Sequence, residues 1–193
     1  AFSRDRKLEC FARSGGPRQL SLVIRNLVTG NDVVFDPPGA QRSTVRSPRF
    51  TPDGQRIVMT MNAPGGQQIV SLNLQGKDVR SLTASNGING WPDISPDGKT
   101  IVFSSSRNGV LDLWLMDADG ENQRPLLRSP RRDIYPSWSP DGRRIACRLT
   151  QGSGTAPGLV FLPGYMSDMA GSKASALFDW AEANSHTCLL LDY

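Results

Sequence analysis

The sequence predicts a mainly β protein built as an incomplete β-propeller, with three four-stranded blades, one further hairpin and a different module at its C-terminal end. Two observations lead to this fold class. A Pro-Asp-Gly turn recurs at a spacing of 44 residues, and a second turn recurs at the same spacing. The 193 residues also include 19 Gly and 14 Pro, a density of turn formers that favours many short strands over long helices.

The first repeated element is a turn between two strands. Phe50-Thr51-Pro52-Asp53-Gly54 recurs as Ile94-Ser95-Pro96-Asp97-Gly98 and as Trp138-Ser139-Pro140-Asp141-Gly142. Proline sets φ for a type I turn, aspartate bonds the local backbone, and glycine takes the positive φ that completes a bulged hairpin. Because one such aspartate occurs at the same turn of every copy, we interpret these three aspartates as structural residues rather than catalytic carboxylates.

A degraded copy of this turn opens the chain. Phe2-Ser3-Arg4-Asp5-Arg6 lies 48 residues before the first complete copy, with Arg4 and Arg6 where Pro and Gly are expected. A terminal or looser blade would explain the departure. Each complete copy is also preceded by a proline, which is Pro48, Pro92 or Pro136.

The second repeated element closes the next pair of strands. Leu72-Asn73-Leu74-Gln75-Gly76 matches Met116-Asp117-Ala118-Asp119-Gly120, and residues 26–30 are the same element in the first unit. Four short strands in about 40–45 residues is the size of one propeller blade. The predicted units are residues 1–46, 47–90 and 91–134, and residues 135–150 supply the first hairpin of a fourth unit.

The number of predicted blades is too small for a closed propeller. Closed propellers have about 4–8 blades, so three and a fraction cannot close, and the outer blades would expose unpaired strand edges. The chain also begins without an initiator methionine, inside a repeat motif. We therefore expect a fragment of a longer protein.

These turns resemble the WD40-like repeats of the TolB family, over about residues 1–150. The resemblance implies a binding or scaffold module whose loops or central funnel hold a protein or peptide partner. It also makes a bacterial periplasmic location plausible, although no signal peptide is visible at the start of the chain. The same blades occur in the propeller domains of prolyl-oligopeptidase-like enzymes, so the resemblance leaves an enzymatic parent open.

The tail has a different pattern. Residues 151–158 have the composition of a flexible linker, and Leu159-Val160-Phe161-Leu162 is a continuous apolar run typical of a buried parallel strand. Apolar residues at 174, 177, 178 and 181 have helical spacing, with Ser172 as a candidate N-cap. Residues 187–191 form a second apolar strand. Together these segments predict one βαβ unit over residues 159–193.

The stretch from Val160 to Ala174 resembles the start of an α/β-hydrolase, most closely the small serine hydrolases and acyl thioesterases with a Gly-x-x-Ser-Asp-Met-x-Gly-x-Lys-Ala loop. The resemblance implies that the backbone N–H of Tyr165 is one donor of an oxyanion hole, with Gly164 allowing close approach. No Gly-x-Ser-x-Gly elbow occurs in the chain, and the single histidine, His186, precedes the second tail strand. We therefore expect no catalysis from this chain alone. The alternatives are a truncated propeller-containing serine hydrolase, of esterase, thioesterase or peptidase type, and an artificial joining of two modules.

Other partners and cofactors are not indicated. The net charge of +4 comes from arginines scattered near turns, without the aromatic platform or recognition helix of a nucleic-acid-binding protein. No run of about 18 apolar residues exists that would span a membrane. Asp117-Ala118-Asp119-Gly120-Glu121 lacks the third acidic position and trailing glutamate of a calcium loop, and no cofactor motif is present.

Cysteine and tryptophan are interpreted as packing residues. The three cysteines, Cys10, Cys147 and Cys188, are too widely spaced for a disulfide framework or a metal site, and the last two lie in apolar strands. Trp91, Trp114 and Trp138 fall on repeat positions or blade strands, where packing is the default. A ligand-facing role for one of the tryptophans is the lesser alternative.

Overall fold

The structure is a computed structural model, and it describes residues 1–16, 19–38, 44–63, 65–128, 132–150, 159–161 and 188–190. The described ranges contain fifteen β-strands and no helix. The mainly β prediction is therefore confirmed for the part of the chain that the structure describes. No helix in these ranges is long and apolar enough to cross a membrane.

Three successive blades of antiparallel strands follow the repeat, and a short parallel pairing, with Gly66 opposite Gly87, joins the second and third blades into one sheet. The first blade contains β1 (Leu8–Gly16), β2 (Gln19–Asn26) and β3 (Asp32–Phe35). The second contains β4 (Val45–Phe50), β5 (Arg56–Ala63), β6 (Gly66–Asn73) and β7 (Arg80–Ser81). The third contains β8 (Gly87–Ile94), β9 (Thr100–Ser105), β10 (Asp112–Asp117) and β11 (Arg124–Leu127). A hairpin of β12 (Arg132–Trp138) and β13 (Ile145–Thr150) follows.

Neighbouring blades pack through two apolar clusters. Since successive side chains of a strand point to opposite faces, one strand can serve two neighbours. On β5, Ile57 and Met59 pack towards the first blade with Cys10, while Val58 packs towards the third blade with Phe103. The core of the described part therefore lies between the blades, and the second blade is buried on both faces.

The repeated Pro-Asp-Gly turns have the predicted geometry. Gly54, Gly98 and Gly142 adopt φ values of 69°, 75° and 71°, and each glycine N–H donates to the carbonyl three residues earlier. A hydroxyl completes every turn. Ser95 Oγ donates to Asp97 Oδ1 at 2.6 Å and accepts the N–H of Thr100 at 3.0 Å. The structural interpretation of these aspartates thus agrees with the contacts that they make.

The degraded copy makes the same turn. Ser3 Oγ donates to Asp5 Oδ1 at 2.7 Å and accepts the N–H of Leu8 at 2.9 Å, and Arg6 adopts a φ of 57° in place of glycine. The hydroxyl and the carboxylate, rather than proline and glycine, are the groups that all four copies share. The expected loosening of this blade is therefore absent at its turn.

Several smaller predictions are also tested by the structure. The Asp117–Glu121 element is a hairpin turn, in which the N–H of Gly120 donates to the carbonyl of Asp117 at 2.9 Å. Cys10 and Cys147 are buried free thiols, and burial raises the pKa of each to about 11. Trp114 is buried in the core between the second and third blades, as expected.

The tail is described only at its two strands. β14 (Leu159–Phe161) and β15 (Cys188–Leu190) pair in parallel, with Val160 opposite Leu189. Parallel pairing of two strands with a long connection is what a βαβ unit requires. The predicted helix, Gly164, Tyr165 and His186 lie outside the described residues. The assignment of this tail to an α/β-hydrolase stays a prediction.

Candidate functional site on the leading strands

The leading strands of the successive blades, β4, β8 and β12, share an irregularity. In each strand the pairing register shifts around a proline, within Ser47-Pro48-Arg49, Trp91-Pro92-Asp93 and Tyr135-Pro136-Ser137. The residue before proline adopts a φ of 50°, 53° and 55°, respectively. Proline cannot donate to a strand ladder and is tolerated at bulges, which re-aim the neighbouring side chains. The bulge therefore buries the proline and turns its two neighbours outwards.

These neighbours form what we call the leading-strand ladder, which comprises Ser47, Arg49, Trp91, Asp93, Tyr135 and Ser137. Its first row is aromatic. The rings of Trp91 and Tyr135 meet edge to face, with centroids 5.2 Å apart and planes at 63°. Tyr135 is 51% exposed although it is a large aromatic residue. The N–H of Trp91 donates to Thr60 Oγ1 of the second blade at 3.1 Å, which anchors the bulge.

The second row of the ladder is polar. Arg49 Nε donates to Asp93 Oδ1 at 3.3 Å, and Ser137 Oγ and the N–H of Trp138 donate to Asp93 Oδ2 at 3.2 and 2.7 Å. The Arg49 side chain is 44% exposed, whereas that of Asp93 is 15% exposed. Asp93 therefore joins three leading strands, and the guanidinium of Arg49 stays within reach of a partner.

The ladder surrounds a shallow cleft of about 90 Å³, lined by Ser47, Arg49, Trp91, Pro92, Tyr135, Pro136 and Ser137. Such a cleft is too small for an extended small-molecule site of several hundred Å³. An aromatic pair with one exposed ring, beside an arginine, has the residue types of protein-binding hot spots. Within the described ranges no group of three or more His, Cys, Asp or Glu side chains could hold a metal ion. The arrangement therefore favours contact with a polypeptide.

The structure places the predicted site residues elsewhere. The Pro-Asp-Gly turns lie at the ends of the blades, where hydroxyl and backbone N–H donors hold the pKa of Asp5, Asp53, Asp97 and Asp141 below its usual range. Tyr165 lies outside the described residues. Sequence reasoning missed Arg49, Asp93 and Tyr135 as site residues and gave Trp91 a packing role by default. The aligned copies carried a signal, because the residues on either side of the shared proline differ in chemistry from copy to copy.

Tandem blades of three or four antiparallel strands that pack face to face, with bulged leading strands in β4, β8 and β12, define a propeller-type protein. A family model described as the TolB beta propeller domain matches residues 14–114, which is more than half of the chain. The chain belongs to the TolB β-propeller family.

Solved structures show the same fold. A putative TolB from Agrobacterium tumefaciens superposes with a TM-score of 0.69 at 22% identity, covering 80% of this chain and 55% of that one. TolB from Acinetobacter baumannii gives a TM-score of 0.67 at 24% identity, covering 80% of this chain and 37% of that one. The chain thus spans little more than half of the first structure and less of the second.

Enzymes are also among the similar proteins. A prolyl endopeptidase structure gives a TM-score of 0.58 at 13% identity, covering 79% of this chain and 26% of that one. Human mitochondrial palmitoyl-protein thioesterase ABHD10 is 42% identical over 40 residues, which are 21% of this chain and 13% of the thioesterase. These likenesses show a shared propeller fold and one short shared segment.

Proposed function

We propose that the chain is a binding module of the TolB propeller type, which holds a protein or peptide partner against the leading-strand ladder. The observation that carries this proposal is the contact between half-exposed Tyr135 and partly buried Trp91, beside Arg49 on adjacent leading strands. Membership of the TolB family supports it at the level of the fold.

The chemistry of the ladder indicates what kind of partner it fits. Tryptophan, tyrosine and arginine contribute most of the binding energy at protein interfaces, because they combine large apolar area with a polar end. The edge-to-face contact holds both rings in place before binding, so little side-chain entropy is lost. A peptide with an apolar or proline residue near a carboxylate would contact the aromatic row and Arg49 together.

Selection from a peptide library tests the proposal. Random decapeptides displayed on phage would be selected against the full chain, and the affinities of the enriched peptides measured by calorimetry. We expect Trp91→Ala and Tyr135→Ala each to weaken binding at least about 10-fold. Phe2→Ala, which truncates a 59% exposed aromatic residue away from the ladder, is the matched control and should leave affinity unchanged. Equal losses in all three variants, or no loss in the two ladder variants, would contradict the proposal.

A second candidate, a serine hydrolase, is favoured by one specific observation, the short match to the thioesterase. It predicts that the tail contributes the N–H of Tyr165 to an oxyanion hole, and it requires a nucleophile for which the sequence has no Gly-x-Ser-x-Gly elbow. The binding proposal predicts no turnover of a nitrophenyl ester by the purified chain. Turnover that is lost in Tyr165→Pro, which removes the N–H, and kept in Tyr165→Phe would favour the hydrolase instead.

A further inference from the structure

A second cleft, of about 490 Å³, lies between the turn of the third blade and the turn of the following hairpin. We call it the turn-side cleft. Its walls come from both turns, and they consist of Ser95, Pro96, Asp97, Thr100, Trp138, Asp141 and Gly142. None of these seven residues belongs to the leading-strand ladder, so the cleft is a separate feature of the surface.

The same seven positions exist at the preceding junction, between the second and third blades. Counting back 44 residues gives Thr51, Pro52, Asp53, Arg56, Ile94, Asp97 and Gly98. The turns stack alike at both junctions, because a Cβ on Gly98 would lie 3.6 Å from Pro52 Cδ and one on Gly142 would lie 3.4 Å from Pro96 Cδ. Five of the seven positions keep their chemistry, whereas Arg56 is replaced by Thr100 and Ile94 by Trp138.

At the preceding junction the position of Thr100 is taken by an arginine, Arg56, whose guanidinium is bound by groups of the second blade. The Arg56 guanidinium donates to Asp78 Oδ2 at 2.6 Å, to the Asp78 carbonyl at 2.7 Å and to Ser71 Oγ at 3.2 Å. Its side chain is only 21% exposed. Arg56 also shares its face of β5 with Val58, which packs towards the third blade. The Arg56 side chain therefore lies on the face of the second blade that is turned towards the third blade, with its guanidinium held by Ser71 and Asp78.

At the turn-side cleft the equivalent residue, Thr100, is too short to do this. The counterparts of Ser71 and Asp78 are Leu115 and Asn122, so the anchors that hold the Arg56 guanidinium are also replaced. Asn122 instead donates to Asp117 Oδ2 at 2.7 Å. The shorter side chain leaves open the space between the third blade and the hairpin.

Two carboxylates and an aromatic residue line the open space, and Lys99, Arg143 and Arg144 are the cationic neighbours of these carboxylates. Asp97 and Asp141 each accept a serine hydroxyl and a backbone N–H through Oδ1, which fixes their carboxylates at the rim. Those donors also hold the pKa of both carboxyls low, so both are ionised at neutral pH. Trp138 also lines the cleft, and indole is the best aromatic partner for a cation.

We infer that the turn-side cleft binds an arginine side chain of a partner protein, in the position that corresponds to Arg56 at the preceding junction. Arginine fits better than lysine, because its planar guanidinium stacks on indole and is weakly hydrated. The N–H groups of the bound guanidinium then donate to the carboxylates of Asp97 and Asp141, which come from the two turns. This inference does not depend on the leading-strand ladder, since the two surfaces have no residue in common.

The test uses the full chain labelled with ¹⁵N and L-argininamide as the probe. The indole N–H signal of Trp138, assigned by its loss in Trp138→Phe, should shift and saturate with a Kd on the order of 1 mM, as expected of one exposed charge-assisted contact. Citrullinamide has the same shape with a neutral urea group and should leave the signal unmoved. An equal response to both probes would overturn the inference.

Two variants, Asp141→Asn and Thr100→Arg, locate the site, and Asp53→Asn is the control. Asp141→Asn should weaken argininamide binding at least about 5-fold, whereas Asp53→Asn, the same change in a turn that does not line the cleft, should not. Thr100→Arg should abolish binding, because the protein's own guanidinium then fills the cleft. Unchanged binding in folded Thr100→Arg, or equal losses in the two Asn variants, would refute the assignment. If Thr100→Arg fails to fold, the comparison of argininamide binding by Asp141→Asn and Asp53→Asn still tests the assignment.

Discussion

At the scale of single residues, the turn chemistry explains why the repeat tolerates a degraded copy. A hydroxyl and a carboxylate two residues apart hold each turn, and Ser3 with Asp5 makes the same contacts as Ser139 with Asp141. Proline and glycine favour the turn conformation, but they make none of these hydrogen bonds. A residue with a side chain can therefore occupy the glycine position, at a cost in backbone energy.

That cost leads to a prediction at Arg6. Its φ of 57° lies in the left-handed region, which is unfavourable for residues with a Cβ atom. Arg6→Gly should raise the free energy of unfolding by about 0.5–1 kcal/mol, after the larger backbone entropy of glycine is subtracted. Urea denaturation would measure the change. Lys7→Gly, at a neighbouring position without positive φ, should lower stability; a gain in both variants would contradict the explanation.

The turn carboxylates also predict how stability depends on pH. Their pKa values are lowered in the folded chain, because a hydroxyl and a backbone N–H bind the ionised form of Asp5, Asp53, Asp97 and Asp141. A lowered folded pKa means that the contribution is present above the unfolded value, about 3.9, and is lost as the pH falls through the folded value.

The urea concentration at the denaturation midpoint should therefore decrease as the pH is lowered from about 5 to about 2. In Asp97→Asn the fall should be shallower than in the unchanged chain. Asp119→Asn is the control, since Asp119 accepts only a backbone N–H, from Glu121, and its pH profile should stay close to that of the unchanged chain. A profile for Asp97→Asn that is as steep as that of the unchanged chain would show that the turn carboxylates are not the cause.

At the scale of strands, the bulged leading strands are docked differently at successive junctions. Thr60 Oγ1 accepts the N–H of Trp91, and Gly90 lies close beside it, since a Cβ there would be 3.3 Å from Thr60. Forty-four residues later the pair is Ser104 and Ile134. In the described part of the chain the buried Ser104 hydroxyl has no hydrogen-bond partner. The bulkier Ile134 thus accompanies a less closely bonded bulge.

The two hydroxyls should respond in opposite ways to removal. Thr60→Val keeps the shape of the side chain but leaves the Trp91 N–H without its acceptor, and should cost about 1–3 kcal/mol. Ser104→Ala removes a buried hydroxyl that has no partner, so it should be neutral or stabilising. Thermal unfolding of both variants measures the difference. A larger loss in Ser104→Ala than in Thr60→Val would contradict the described docking.

The sequence predicts most of the strands and turns, but few of the contacts that form the leading-strand ladder. The 44-residue spacing and the turn residues give the strands, because φ preferences and local hydrogen bonds act within a few residues. The contacts of Arg49 with Asp93 and of Trp91 with Tyr135 join residues that lie 44 apart, and they depend on a bulge whose side-chain direction no periodicity shows. The packing role predicted for Trp91 fits its contacts with Tyr135 and Thr60, and its part in binding stays a proposal.

At the scale of the whole molecule, the junctions between blades change character along the chain. The first is apolar, with Cys10, Leu22 and Met59. The second adds a buried polar network, in which Asn89 donates to Gln68 Oε1 at 3.1 Å and Arg107 lies 4.2 Å from the Trp114 ring. The third contains the turn-side cleft. One repeated fold thus presents different surfaces at equivalent positions, which is how a propeller acquires specific binding.

The central claim is that the leading-strand ladder is where a partner binds, and cross-linking tests it most directly. A ladder-selected peptide carrying a benzophenone would be photolysed with the full chain, and the attachment sites mapped by mass spectrometry. We expect attachment within residues 45–50, 87–94 and 132–138, and loss of attachment in the Trp91→Ala, Tyr135→Ala double variant. Attachment mainly to the outer strands β3, β7 or β11, unchanged in the double variant, would contradict it.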